Sequence, residues 1–252
     1  MVKLLDLTNY TNDLLGIGQF SDYCPNGLQV QGKNEVQTLI SGVTASQAFL
    51  DAAIDDGADA LLVHHGYFWK GEDPCLTGMK KKRFAALLRS DVSLLAYHLP
   101  LDAHPEYGNN AQLAKLLGFT TKGRFGRGPG DELGVYGELA QPMSPQELAD
   151  HLLARLGREP LHIAGASREI RTVAWCTGAA QSYIEQAVST GVDAFVSGEI
   201  SEQTVHVARE TGIHFYAAGH HATERYGVQA LGSHLAQRFA IEHRFIDIDN
   251  PV

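Results

Sequence analysis

Cysteine is scarce in this chain: Cys24, Cys75 and Cys176 are the only three among 252 residues. They are odd in number and far apart, so no disulfide framework is implied, and a reduced, cytosolic compartment is the expectation. Long apolar runs are missing too, so no segment is expected to span a bilayer. The N-terminal stretch carries Asp6 and Asp13 and has no apolar core of signal-peptide length, which argues against secretion. Positive charge is in deficit. A formal net charge of -9 argues against a nucleic-acid partner, which usually needs a basic face. The one basic block, Lys80-Lys81-Lys82-Arg83, reads as a solvated helix face. Low-complexity and coiled-coil segments are absent.

Apolar residues, at 44% of the chain, suffice for one large α/β domain or two small ones. Shifted by 134 positions, the chain resembles itself. Thr38, Ala45, Gln47, Ala53, Gly57, Asp59 and Ala60 meet Thr172, Ala179, Gln181, Ala187, Gly191, Asp193 and Ala194. Phe49, Leu50, Ala53 and Ile54 form one helical stripe, matched by Tyr183, Ile184, Ala187 and Val188. Each copy reads strand, helix, Gly turn, strand: a right-handed βαβ unit. The repeat continues at an offset of 119, where Tyr97 and a Gly108 turn meet Tyr216 and a Gly227 turn, which places Asp102 about one residue from the match of His220. The expected fold is therefore α/β, with two similar lobes from an internal duplication. Each lobe is a mixed sheet flanked by helices, and packing them face to face would put a metal site between them. The expected division is 1–118, a connecting segment 119–171, and 172–252.

Within the connecting segment, Gly123 through Gly134 reads as a loop and Gly134 to Ala140 as a strand. Ser144-Pro145-Gln146-Glu147 reads as a capping box opening a helix with Leu148, Leu152, Leu153 and Leu156 on its apolar side. Phe245 to Asp249 alternates like a half-exposed strand. Pro25-Asn26-Gly27 marks a turn within Asp22–Leu28. Gly42 to Ser46 offers a weak anion-site signal, for which an ordinary helix cap at Ser46 is the better reading.

The chemistry gathers at strand ends, where open α/β sheets place their ligand sites. Leu61-Leu62-Val63 runs into His64-His65-Gly66. Leu94 to Tyr97 runs into His98-Leu99-Pro100-Leu101-Asp102-Ala103-His104. Ile213 to Ala217 runs into Gly219-His220-His221-Ala222-Thr223-Glu224. His64 and His65, adjacent on a strand, diverge unless the strand has ended. His220 and Glu224 share a face if a helix starts there. Three imidazoles and two carboxylates exceed what one tetrahedral zinc with an open position takes. They suit two ions roughly 3.5–4 Å apart, with Glu224 as candidate bridge. Fe, Mn, Zn and Ni fit such donors about equally. His98, His104 and His221 are open between direct coordination and support of the ligands. His206 is a candidate to face the site, and His162, His214, His234 and His243 read as surface or packing residues. Glu199, the match of His65 at offset 134, is either a general base or an acidic residue beside the helix capped by Ser201.

Four strings carry a resemblance over essentially the full chain: Ser21 to Val30, Val63 to Gly71, His98 to His104 with Gly108-Asn109-Asn110, and Gly219 to Glu224. Together they resemble the dinuclear metal centre hexameric family, labelled GTP cyclohydrolase I type 2 homologues, in its bacterial YbgI-like branch. The resemblance implies two α/β lobes holding two divalent ions per subunit on His64, His65, Asp102, His220 and Glu224, and a homo-hexameric toroid. It points to a metal-dependent hydrolase that attacks a nucleotide or related small molecule through a metal-bound hydroxide. In such an enzyme the candidates for moving protons, read from the residues and not from the resemblance, are Glu199 and His98. The competing expectation is a non-enzymatic toroidal metal-binding scaffold or regulator with protein partners.

Overall fold

The computed structural model describes residues 1–126 and 132–252. The stretch 127–131, part of the expected Gly123–Gly134 loop, lies outside the described residues. The chain divides into two units, Met1–Gly108 with Gly227–Asp249, and Asn109–Tyr226 with Asn250–Val252.

In the first unit, β1 (Val2–Lys3) leads into α1 (Leu4–Leu15), then β2 (Gly27–Val30), β3 (Glu35–Val36) and β4 (Thr38–Thr44). After them come α2 (Gln47–Asp55), β5 (Ala60–His65), α3 (Gly78–Ser90), β6 (Ser93–Ala96) and α4 (Leu99–Ala103). The second unit opens with α5 (Asn109–Leu117), β7 (Thr120–Phe125), β8 (Gly134–Met143), α6 (Pro145–Leu156) and β9 (Leu161–Ile163). It continues through β10 (Ile170–Cys176), α7 (Ile184–Ser189), β11 (Ala194–Ser197), α8 (Glu202–Thr211) and β12 (His214–Ala217). The long α9 (His220–Phe239) starts in the second unit and ends in the first, where β13 (Glu242–Phe245) follows.

The first unit's main sheet has the order β13-β4-β5-β6-β2, parallel except for β2, beside a small β1-β3 pair. The second unit's sheet runs β7-β8-β10-β11-β12-β9, with β10, β11 and β12 parallel and the other three strands antiparallel to their neighbours. The central strands are covered on both faces, which is why they read as unbroken apolar runs. Ala60 to Val63 and Ala194 to Val196 are all fully buried. Each such Leu, Val or Phe contributes roughly 1.5–3 kcal/mol by leaving water.

The same plan is built twice. Asp59 accepts the backbone N–H groups of Gln37 (2.9 Å) and Thr38 (3.0 Å). Asp193, 134 positions on, accepts those of Arg171 and Thr172, both at 2.9 Å. Each carboxylate staples the start of one parallel strand to the start of the next. Register refines the third strand. Ala60 pairs with Ser93 and Ala194 with His214, an offset of 121 rather than 119. Backbone bonds agree, with Tyr97 N–H donating to Val63 and Ala218 N–H to Ser197. Asp102 therefore matches Thr223 and not His220. Gly227 lies inside α9 and makes no turn.

The unit boundaries differ from the expected division for a pairing reason. Strands β7 and β8 hydrogen-bond onto β10, so most of 119–171 belongs to the second sheet. Strand β13 pairs with β4, which returns the C-terminal stretch to the first unit. That strand ends at Phe245, earlier than the alternation suggested, with Ile246 N–H donating beyond it to Ser41. Gly123 to Phe125 lie in β7 and not in a loop. The Ser144 capping box forms with Glu147, and Leu148, Leu152 and Leu156 are buried, but Leu153 points outward at 42% exposure. Ser46 is an ordinary cap, accepting from Phe49 N–H.

Candidate metal centre

In the first unit the ligand candidates come from the ends of β5 and β6. His64 is fully buried. Its Nδ1 donates to the carbonyl of Tyr97 at 2.9 Å, which fixes the tautomer and leaves Nε2 as the basic nitrogen. That Nε2 stands 3.5 Å from Asp102 Oδ1. Asp102 is held there by the short helix α4, whose first turn begins on the His98 carbonyl, accepting from Leu101 and Asp102 N–H. His65 is the last residue of β5, and its Nδ1 lies 3.1 Å from the Thr44 hydroxyl. The strand persists through both histidines, yet their rings are 4.6 Å apart and tilted by 47°. One ligand atom each of His64, His65 and His98 falls within 4.8 Å of the other two.

His98 has a brace that sequence reading took only for a turn. Its Nδ1 bonds Asp22 Oδ1 at 2.7 Å, while Asn26 Oδ1 accepts its backbone N–H at 2.7 Å. Asp22 also accepts from Tyr23 N–H (2.6 Å), Asn26 Nδ2 (2.8 Å) and Leu99 N–H (2.9 Å), four donors in all with His98. Burial works to raise its pKa, but His98, Asn26 and the Tyr23 amide outweigh it and hold the carboxyl below the usual value. An ionised Asp22 can only accept, so His98 Nδ1 is the donor in this bond. Cys24 shares this neighbourhood, and burial together with the Asp22 charge pushes its thiol up to about 12. With Asp22 already filled by donors, the trio acts as a brace and not as a ligand set.

In the second unit, α9 begins at His220, so His220 and Glu224 lie on one turn, with His220 Nε2 3.1 Å from Glu224 Oε2. The other nitrogen, Nδ1, bonds Glu199 Oε1 at 2.7 Å. Burial lowers the His220 pKa, but Glu224 and Glu199 together outweigh it and push it up to about 9. A carboxylate on the far nitrogen of an imidazole is the usual support of a metal-bound histidine. Glu199 thus has a partner that neither sequence reading of it named. Gly178 makes the space. It sits at φ +68°, and a Cβ there would strike the Glu224 carboxylate and come within 3.2 Å of His220 Nε2. Its N–H is held by the Thr223 hydroxyl at 3.1 Å, and its carbonyl accepts from Gly198 and Glu199 N–H.

The remaining histidines sort by their contacts. His104 Nδ1 accepts the N–H groups of Glu106 and Tyr107, closing a turn. The His221 backbone N–H donates to Val252. His206 is exposed and pairs with Glu202 at 3.2 Å, so it does not join the cluster. His162 with His214, His234 with Tyr10 and His243 with Ser41 are packing pairs.

Each unit offers donors of the kind divalent ions take: imidazoles with the Asp102 carboxylate in the first, and in the second carboxylates around one imidazole, with a glycine where any side chain would intrude. The class is an α/β protein with buried His, Asp and Glu groups able to hold metal ions. Among the described residues no helix is long and apolar enough to cross a membrane.

The family follows from comparison with known proteins. The profile of the Duf34/NIF3 family (NGG1p interacting factor 3) matches residues 2–251, and the chain belongs to that family. A relative from Pseudomonas aeruginosa, named GTP cyclohydrolase 1 type 2 homolog, is 58% identical over 250 residues, covering 99% of both chains. One of the same name from Escherichia coli K12 is 54% identical, covering 99% of this chain and 100% of its own. Among solved structures, the protein ybgI, described as of unknown function, superposes with a TM-score of 0.96 at 53% identity, with both chains fully covered.

Proposed function

We propose that the chain is a two-metal hydrolase acting on a nucleotide or a related small heterocyclic compound. His64, His65, Asp102, His220 and Glu224 hold the ions, of the Fe, Mn, Zn or Ni type. When bound, a pair of divalent ions lowers the pKa of water and supplies hydroxide near neutral pH. The chain's own residues do the rest. The Tyr97 carbonyl sets the His64 tautomer, Glu199 orients His220, and His98, held by Asp22, offers Nε2 to take a proton from the substrate or return one. The relatives' shared name supports a purine nucleotide as the substrate class. A homo-hexameric ring belongs to the same proposal.

The observation that carries the reading is the pairing of imidazole with carboxylate at the strand ends of each unit, His64 Nε2 with Asp102 at 3.5 Å and His220 Nε2 with Glu224 at 3.1 Å, with His64 buried and its Nδ1 held by the Tyr97 carbonyl. Metal content of protein purified without chelator tests it, with His64→Ala and Glu224→Ala alongside. About two ions per chain are expected in the wild type, and a loss in each variant. No metal bound or taken up on reconstitution sinks the reading. A full complement of metal without turnover on nucleotide panels would favour the scaffold function. Light scattering tests the ring.

A further inference from the structure

Between His65 and the exposed tip of its loop, the backbone makes an unusual turn. Phe68 adopts φ +65°, in the left-handed region that a bulky side chain avoids. Such strain persists only where the surroundings enforce it, and it gathers at ligand sites. Here it turns the chain so that Trp69 comes back toward the histidines. The Trp69 ring lies 6.0 Å from His65 and meets His98 edge to face at 5.0 Å. It is clamped: Nε1–H donates to the Gly66 carbonyl at 3.2 Å and the backbone N–H to Glu72 Oε2 at 3.1 Å.

A second ring stands on the neighbouring loop. Tyr23 is 59% exposed, and its ring lies 6.3 Å from His98. The two loops are tied. Lys70 N–H donates to the Tyr23 carbonyl at 2.7 Å, and Gln29 bridges Pro25 and Tyr67 through both ends of its amide. An exposed tyrosine and a half-buried tryptophan thus both bring their rings beside the imidazole cluster, at the place where chemistry is expected. Packing does not require this, since the core beneath is closed by Tyr67, buried and bonded to the Ala45 carbonyl.

We infer that Trp69 and Tyr23 form a stacking platform for a planar heteroaromatic ring presented to His98. The inference deepens the hydrolase reading and rests on it for the identity of the site. Stacking on aromatic side chains is tolerant of which base is bound, because every base has a π-face. Selection among bases would then come from polar atoms at the ring edge, of which His98 Nε2 is one.

The test uses intrinsic fluorescence. The chain has two tryptophans, and Trp175 is fully buried in the second unit, so an accessible-ligand signal reports Trp69. Guanosine, adenosine and cytidine 5′-monophosphates are titrated into the full-length protein, with ribose 5-phosphate as the non-aromatic probe and metal content measured on the same samples. Saturable quenching by the nucleotides and none by ribose 5-phosphate is expected. By calorimetry, Trp69→Leu and Tyr23→Leu should each weaken nucleotide binding about tenfold or more, while Trp69→Phe keeps most of it. Non-saturating quenching, equal binding of ribose 5-phosphate, or unchanged affinity in Trp69→Leu overturns the platform. Metal bound with no nucleotide binding removes the platform alone. Metal absent with saturable quenching intact removes the metal reading and leaves the platform standing.

Discussion

At the end of β5 stand His64 and His65. At the same register, at the end of β11, stand Gly198 and Glu199. The parallel cores around them are alike: the strands pair in the same register and the Asp59 and Asp193 staples repeat. The chemistry divides instead. The first unit contributes mainly imidazoles anchored to neutral oxygens, the Tyr97 carbonyl and the Thr44 hydroxyl. The second contributes carboxylates on both sides of one imidazole, with glycines at 178 and 198 clearing the room. Neutral nitrogen donors bind a cation without balancing its charge, and the carboxylates supply that balance. A repeated scaffold can therefore carry different side-chain chemistry at matching strand ends, because the register of the parallel strands is set by the backbone and the apolar residues before those ends.

The largest expected effect breaks the likeness of the cores. Leu61→Ala and Phe195→Ala occupy the same register position, each fully buried. They should cost about 2–5 and 3–5 kcal/mol respectively in urea unfolding. Losses under 1 kcal/mol in either unit would show that its core is not the packed sheet described.

Next is Gly178→Ala. The added methyl strikes Glu224 and the backbone is at positive φ, so metal affinity should fall about a hundredfold. Thr44→Ala, the matched position, removes the hydroxyl beside His65 together with an exposed methyl and should cost about tenfold. Competition with a chromophoric chelator measures both, and an unaffected Gly178→Ala would remove Glu224 from the ligand set.

Glu199→Gln should lower metal affinity about tenfold with the circular dichroism unchanged, since it weakens the support of His220. Full metal affinity with turnover lost would instead assign Glu199 to proton transfer.

The smallest effect compares the staples. Burial raises the Asp59 pKa, but Lys33 and the amides of Gln37 and Thr38 prevail and lower it. A carboxyl with a depressed folded-state pKa contributes stability above its unfolded value, near 4, and that contribution is lost as pH falls through the folded value. Asp59→Asn should therefore cost about 1 kcal/mol at pH 7 and less near pH 3. A deficit that is the same at both pH values would show that charge is irrelevant to the staple.

Much of the candidate site was legible because its residues are local in sequence. A run such as Leu61-Leu62-Val63 announces a doubly covered strand, and His64 and His65 follow it directly. The spacing of His220 and Glu224 suffices once a helix begins at His220, as it does. Residues that support the ligands were hidden. Asp22 reaches His98 across 76 positions, and nothing in a Pro-Asn-Gly turn says where its carboxylate will point. Trp69 reads as one aromatic among many until the strained Phe68 folds it back. Gly178 had one signal, its match to Thr44 at offset 134, but a glycine's role depends on what fills the space it leaves.

By itself the sequence determined the parallel βαβ cores and the kinds of donor at their ends. Both follow from short-range facts, hydrophobic period and residue type, which any packing must respect. Tertiary structure alone decided which strands joined which sheet, the 121-residue register that aligns Asp102 with Thr223, and the partners of His64, His98 and His220. Those depend on hydrogen bonds between distant segments, whose geometry exists only after the sheets have closed.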